Sequence, residues 1–283
     1  MYTEHLRIPV GAGALHVERL GRAGPAVVLV HGFGQCAFSW RAVAPVLASA
    51  GYTVVCVDLL GFGESDRPAS AAYGLTAQAE YLERALTALR LGEVSVVGQD
   101  AGAEVALVLA ARHPRRVQRL ALLEPLDPDD LPGPAIRALQ RTSALSALSA
   151  NSLFGARPLL EPLLQDSVSD PDRMPERLVL RYLAPWIGRN GASELLQLAS
   201  AVSLTEDSAE ESPLSGLESF AGDVLLWCGG GEHGATAAPR VQAWQSLLAA
   251  ASVVPVITTR APGMLISEDD PEALTAALRE WLA

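Results

Sequence analysis

Gly98-Gln99-Asp100-Ala101-Gly102 follows the apolar run Val94-Ser95-Val96-Val97 and precedes Glu104-Val105-Ala106-Leu107-Val108-Leu109-Ala110. The reading of this stretch decides the fold. A small-x-nucleophile-x-small pentapeptide between a buried strand and a helix describes a nucleophile elbow, the sharp turn that lifts one side chain above the carboxyl edge of a sheet. Glycines flank the turn because its backbone is strained and the helix must pass close to the strand. The central residue is commonly serine, but here it is Asp100. A carboxylate in that place moves the chemistry away from ester and amide cleavage, toward attack on an alkyl carbon or removal of a proton.

Outward from the elbow, strand and helix signals alternate. Strands are expected at Leu6–Val10, Ala14–Leu20, Ala26–Val30, Thr53–Val57, Val94–Val97, Val117–Leu123, Val224–Cys228 and Val253–Thr258. Several are continuous apolar runs, as strands buried on both faces of a parallel sheet must be. Helical periodicity fits Phe38–Ala50, Thr76–Leu91, Ala103–His113, Pro239–Ala250 and Pro271–Leu282, the last opened by Asp270 as N-cap. The pattern predicts a mostly parallel, eight-stranded α/β sheet with helices on both faces and ligands at the carboxyl ends of its strands. The alternation lapses only between Pro125 and Ser219, where helical patterns run over Pro134–Leu148, Pro175–Leu183 and Ser193–Leu204. This interval is expected to be a helical lid, residues 125–219, inserted into a core domain made of residues 1–124 and 220–283.

Composition narrows the function classes. With 283 residues, 49% of them hydrophobic and 19% charged, the chain can bury a core large enough for one catalytic domain. A net charge of -11 with no basic stripe argues against a nucleic-acid surface. All 21 cationic residues are arginine, which with the alanine richness points to the codon usage of a high-GC bacterial genome. The first residues lack the apolar core and cleavage site of a signal peptide, and no apolar run approaches the ~18 residues of a membrane span, so a cytoplasmic protein with no membrane partner is expected. Cys36, Cys56 and Cys228 have no metal-ligand spacing and read as buried thiols; neither a metal nor a cofactor is expected.

Four motifs in order resemble the α/β-hydrolase superfamily over essentially the whole chain. His31-Gly32-Phe33-Gly34 is similar to the family's oxyanion loop, and Asp58-Leu59-Leu60-Gly61-Phe62-Gly63-Glu64-Ser65 to its D-x-x-G-x-G-x-S segment. The elbow and the carboxyl-terminal Glu268-Asp269-Asp270-Pro271-Glu272 complete the set. An aspartate elbow followed by Ala-Gly most resembles the haloalkane and haloacetate dehalogenases and the epoxide hydrolases. In those enzymes the aspartate attacks carbon and a histidine-activated water cleaves the resulting ester. The resemblance implies that the N–H groups of Phe33 and Ala101 converge near Asp100 as an oxyanion hole, free to stabilise an enolate or a leaving oxygen.

The same resemblance exposes what this chain lacks. The family's histidine follows a glycine after the last strand, and here Ala261-Pro262-Gly263-Met264 puts Met264 in its place. A thioether accepts no proton at any relevant pH, so an ester formed on Asp100 would persist. Ala101, Phe33 and Glu104 stand where the dehalogenases carry halide- or carboxylate-binding side chains, and the expected lid offers one tyrosine, Tyr182, to protonate an opening epoxide. Glu124, at the end of the sixth strand, matches the acid position of dehalogenases. Glu232 matches the acid position after the seventh strand in one register, whereas in another Gly234 marks a lost acid. His233, in the same loop, is a candidate surrogate base. His31, Phe38, Trp40, Tyr182, Trp186 and Met264 are candidate pocket residues, each with ordinary packing or scaffold roles as the simpler alternative. His5 and His16 fall in the first two strands, away from the expected site.

These residues lead to an enzyme that kept the scaffold and the elbow carboxylate while giving up hydrolysis. Asp100 is expected to act as a base or electrostatic anchor in the elimination, isomerisation or cyclisation of a hydrophobic small molecule, a chemistry that also suits bacterial secondary metabolism. The alternatives are a hydrolase of carbon-halogen or epoxide bonds with a surrogate base, and a ligand-binding protein that lost its chemistry.

Overall fold

Continuous valine and leucine runs close into one sheet of eight strands, in the order β1-β2-β4-β3-β5-β6-β7-β8. The strands are β1 (Thr3–Pro9), β2 (Ala14–Leu20), β3 (Ala26–Val30), β4 (Thr53–Val57), β5 (Val94–Gln99), β6 (Val117–Leu123), β7 (Asp223–Gly229) and β8 (Ser252–Thr258). β1 pairs antiparallel with β2 and β2 antiparallel with β4, while every pair from β4 through β8 is parallel. This computed structural model describes residues 2–126, 136–141, 155–188, 190–202, 212–229, 237–258 and 265–283.

Strand alternation sorts the core into two faces. Val28, Val30, Val96, Leu120, Leu122, Val224 and Leu226 pack on one, beneath α2 (Leu75–Ala88), α3 (Ala101–Arg112) and the helix Ala237–Leu247. Val27, Leu29, Val54, Cys56, Val97, Ala121, Leu123 and Leu225 pack on the other, against α1 (Ala44–Ser49) and the carboxyl-terminal helix Pro271–Leu282. β3 is therefore apolar at every position, and the neighbouring central strands are mostly apolar with no regular polar alternation. Cys36, Cys56 and Cys228 are free and buried.

Two local expectations need correction. The single helix expected over Phe38–Ala50 is a 3-10 turn, Ala37–Trp40, followed by α1 from Ala44. Pro45 lacks the N–H that would bond back to Arg41, so a continuous helix cannot pass that point. The helix Arg157–Asp166, which carries Pro158 and Pro162, is an addition to the helical patterns expected in this interval. Pro158 falls in the first turn, where no intrahelical donor is needed, and the helix tolerates Pro162 with an apolar face of Leu160 and Leu164 in the core.

Within residues 125–219, the described segments form helices and turns and add no strand to the sheet. Residues 136–141 are helical, as are Arg157–Asp166, Glu176–Leu183 and Gly191–Ala201. Among the described residues, no helix is long and apolar enough to cross a membrane.

Candidate active site

Asp100 stands between β5 and α3 with φ 52° and ψ -132°, a conformation that a non-glycine residue adopts only under constraint. The constraint is the close passage of three backbones. A Cβ on Gly98 would fall 2.3 Å from the Gly102 carbonyl oxygen, and one on Gly102 would fall 2.5 Å from those of Val30 and His31. Both flanking glycines are thus required by space, and the turn has no slack through which Asp100 can relax.

The oxyanion loop closes over this carboxylate. The Phe33 N–H donates to Asp100 Oδ2 at 2.9 Å, and the neighbouring Ala101 N–H also favours the ionised carboxylate. Gly32 permits the approach, since a Cβ there would sit 2.6 Å from Oδ2. The donors expected to await an enolate or leaving oxygen are therefore engaged by Asp100 itself. The reason is geometric: the elbow points the side chain into the hole that its own turn and the loop create. Burial is the largest influence on this group; it outweighs the two N–H bonds and pushes the carboxyl up to about 6.

Glu104 follows one turn later on α3 and is fully enclosed. The Leu126 N–H donates to its Oε1 at 3.1 Å, while Oε2 has no hydrogen-bond partner among the described residues. Burial, reinforced by the nearby Asp100 charge, pushes its carboxyl up to about 8. At neutral pH Glu104 holds a proton while Asp100 is mostly ionised. The sequence marks Glu104 only as an acid in an arginine's place; its position in the first turn of the helix that follows the elbow is the signal that brings it near Asp100.

Glu124 follows β6 directly, with φ 52°. Its Oε1 accepts the Gly229 N–H at 2.6 Å and its Oε2 lies 3.3 Å from Arg240 Nη2. Burial pushes its carboxyl up to about 7 against the pull of Arg240. An acid that orients a histidine keeps an oxygen for the imidazole, whereas both Glu124 oxygens are engaged by an arginine and a backbone donor. Glu232, His233 and Met264 lie outside the described residues.

The remaining candidates divide between scaffold and wall. His31 accepts the Leu59 N–H on Nε2 at 3.1 Å, which fixes the proton on Nδ1 and directs it to the Gly32 carbonyl at 2.7 Å. With both nitrogens engaged and burial lowering its pKa, His31 is a neutral strut under the oxyanion loop. Trp40 does not join the site: it is fully buried in the second core, with Val43, Ala44 and Leu47. Its place follows from the 3-10 turn, which points Trp40 toward α1. Phe33, Phe62 and Trp186 form an edge-to-face series, with ring centroids 5.6 and 6.0 Å apart, that links the loop to the inserted helices.

Tyr182 stacks edge-on against Phe38 at 5.7 Å and donates its hydroxyl to Glu268 Oε1 at 2.5 Å. Arg41 holds the same carboxylate through both oxygens, at 2.5 and 2.7 Å. This buried junction joins the inserted helices to the carboxyl-terminal segment and leaves the tyrosine hydroxyl committed. Two leucines of the same helices press on the loops: a Cβ on Gly34 would meet Leu160 at 2.5 Å, and one on Gly61 would meet Leu198 at 2.7 Å.

A polar relay that sequence reasoning missed ties the loops together. Gln35 Oε1 accepts from Gln99 Nε2 at 3.0 Å and lies 3.3 Å from both the Gly32 N–H and the Ser39 hydroxyl. Gln99 Oε1 then accepts the Ser267 N–H at 3.1 Å. Oxyanion loop, elbow and carboxyl-terminal segment are thereby held by two buried amides whose residue type carries no motif signal.

Residues 25–158 match the protein family described as alpha/beta hydrolase fold. Over 104 residues the chain is 39% identical to the 2-hydroxymuconate semialdehyde hydrolase of Pseudomonas sp. (strain CF600), a stretch covering 36% of this chain and 36% of that protein. Over 109 residues it is 38% identical to the fluoroacetate dehalogenase of Burkholderia sp., covering 37% of this chain and 36% of the relative. The chain thus spans about a third of the length of these curated relatives. The crystal structure of Cfl2 from Burkholderia cenocepacia superposes with a TM-score of 0.79 at 27% identity, covering 99% of this chain and 96% of that one.

Proposed function

We propose that the chain, whose residues 25–158 match the alpha/beta hydrolase fold family and which is similar in part to a dehalogenase and to epoxide hydrolases, is an enzyme of that superfamily in which Asp100 and Glu104 form a base and acid pair for a non-hydrolytic reaction. The observation that carries this reading is the separation of two adjacent buried carboxyls, one pushed to about 6 and the other to about 8. Titratable neighbours whose environments drive their pKa values apart are suited to opposite proton-transfer roles. A base poised near the working pH combines a populated ionised form with useful basicity.

In an elimination, Asp100 takes a proton from carbon beside a carbonyl, the electron pair becomes the new double bond, and the leaving oxygen departs with the electrons of its bond to carbon. Glu104 supplies the proton to that oxygen. An isomerisation uses the same two groups, the proton returning to a different carbon. The inserted helices act in this proposal as a lid that excludes water from a hydrophobic substrate. The resting grip of Phe33 and Ala101 on Asp100 holds the base in place.

A second reading is favoured by that same grip and by the similarity to the fluoroacetate dehalogenase. A carboxylate held at one oxygen is also placed to attack carbon, and the ester so formed would keep its carbonyl oxygen in the hole. Hydrolysis of that ester needs a base; Glu124 is tied to Arg240, and in the sequence Met264 stands where the resemblance expects a histidine.

Turnover in water enriched in oxygen-18 separates the two. The protein is incubated with β-acyloxy carbonyl compounds, epoxides and fluoroacetate, then digested, and the Asp100 peptide is weighed by mass spectrometry. Unsaturated or isomerised product with no label in Asp100 is the expected result. Label entering the Asp100 carboxylate over multiple turnovers overturns the proposal and establishes the ester route. A stable alkyl adduct on Asp100 that only Met264→His releases also overturns it, as a trapped first half of that route.

A further inference from the structure

The antiparallel edge of the sheet gathers three side chains that the reaction does not use. β1 and β2 pair with His5 opposite Glu18 and Arg7 opposite His16. Residues two apart on a strand share a face, so His16 and Glu18 project together and His5 joins them from across the pair. The nitrogen atoms of His5 and His16 and the carboxylate of Glu18 all lie within 4.8 Å of one another. We propose that His5, His16 and Glu18 form a binding site for a divalent transition metal of the zinc type.

The geometry of His16 is the strongest support. Its Nδ1 lies 2.8 Å from Asp58 Oδ2, and both side chains are buried. With that nitrogen donating to a carboxylate, the Nε2 lone pair is turned toward His5, whose Nδ1 is 3.1 Å away. A carboxylate behind a histidine is the arrangement that fixes the tautomer and ring orientation of a metal ligand and raises its basicity. Two nitrogens bound to one tetrahedral zinc at about 2.0–2.1 Å stand about 3.3 Å apart, so only a small opening of the existing pair is needed. In the metal-free protein the pair shares a proton, and the metal takes that proton's place.

The surroundings permit the opening. His16 is fixed by Asp58, while His5 is exposed and can turn its ring without disturbing the core. Glu64 brings a carboxylate oxygen to 3.9 Å from the same His16 nitrogen at the solvent-facing rim, next to the fourth coordination position. Two imidazoles with carboxylates select zinc, nickel, cobalt or copper over magnesium and calcium, which favour all-oxygen shells. His5 comes from β1 and His16 and Glu18 from β2, so the metal would cross-link the edge strand β1 to β2.

The test uses full-length protein without a histidine tag, stripped with a chelator and titrated with zinc by calorimetry and with cobalt by visible absorption. One equivalent of each should bind, with a cobalt spectrum of mixed nitrogen and oxygen ligands. Magnesium in excess should not compete. His5→Ala, at an exposed position, should weaken both metals about tenfold or more, as should Glu18→Gln, with the metal-free melting curves little changed. His113→Ala and His233→Ala should bind like the wild type. Absence of saturable binding overturns the proposal, and so does affinity that survives both His5→Ala and Glu18→Gln or that disappears with His113→Ala or His233→Ala.

Discussion

Asp58 and Asp100 are both buried aspartates in strand-following loops, yet their carboxyls are driven in opposite directions. Burial is the largest influence on each and acts to raise both. Around Asp58 it is outweighed by the His16 bond at 2.8 Å, the Ala37 N–H at 2.5 Å and the Glu64 N–H at 2.9 Å, and the carboxyl falls below its ordinary range. Asp100 has only the N–H groups of Phe33 and Ala101, and its carboxyl rises to about 6. The number of donors, rather than depth, separates the two carboxyls. Asp58 is a junction holding β2, the oxyanion loop and the following turn together. Asp100 is under-satisfied, which is the condition of a base.

The contrast is broken or sharpened by substitutions at each end. The largest effect is expected for Asp100→Asn, which should slow the native reaction by roughly 10²–10⁴-fold, or about 3–5 kcal/mol of barrier. Its stability at neutral pH should stay within about 1 kcal/mol of wild type, since the amide still accepts the Phe33 N–H. Steady-state kinetics and urea unfolding of the same preparation check both halves. Activity retained within a few-fold would make Asp100 a relic of the turn.

Asp58→Asn should do the reverse. The amide turns an NH2 group toward a backbone or imidazole donor, and the loss is expected to be about 3–5 kcal/mol of stability, read from the urea midpoint at constant slope. The pH dependence gives the sign independently. A carboxyl lowered in the folded state stabilises above its ordinary pKa of 3.8 and loses that contribution as pH falls through the folded value. Wild type should therefore lose stability in acid through this group, and Asp58→Asn should lack that component.

A smaller, pH-dependent effect is expected for Glu104→Gln. Glu104 binds its proton up to about pH 8 in the folded protein but only to its ordinary 4.5 in the unfolded chain. Wild type therefore loses stability as pH rises between those values, and the amide does not. Unfolding of the two proteins across pH 5 to 9 should show the variant gaining on wild type as pH rises. A constant difference would mean that Glu104 is ionised and is not the acid of the pair.

The parallel sheet was legible because its strands are buried on both faces and read as largely apolar runs, unbroken from Val27 to Val30 and interrupted only by Ser95 from Val94 to Val97. The elbow was equally plain, since Gly98 and Gly102 are the residues that its crowded backbone demands. Arg157–Asp166 was not read as a helix, and its two prolines, Pro158 and Pro162, weaken the local helical signal there. Trp40 was misplaced because a pocket and a core demand the same residue types. The Gln35, Gln99 and Ser267 relay and the His5 and His16 pair were invisible for a different reason. Each joins residues far apart in sequence through loop packing or strand register, and no local pattern encodes such a meeting.

The central claim, that Asp100 is a buried carboxyl held near neutrality while Asp58 is held ionised, is tested most directly by carbon-13 NMR of protein labelled at the aspartate carboxyl carbons. Wild type should show a resonance titrating near pH 6 that is missing from Asp100→Asn. The Asp58 resonance, assigned by its loss in Asp58→Asn, should remain that of a carboxylate to below its ordinary 3.8. An Asp100 signal that titrates at or below 4 would contradict the account, because a carboxylate so readily ionised has no advantage as the base of this site.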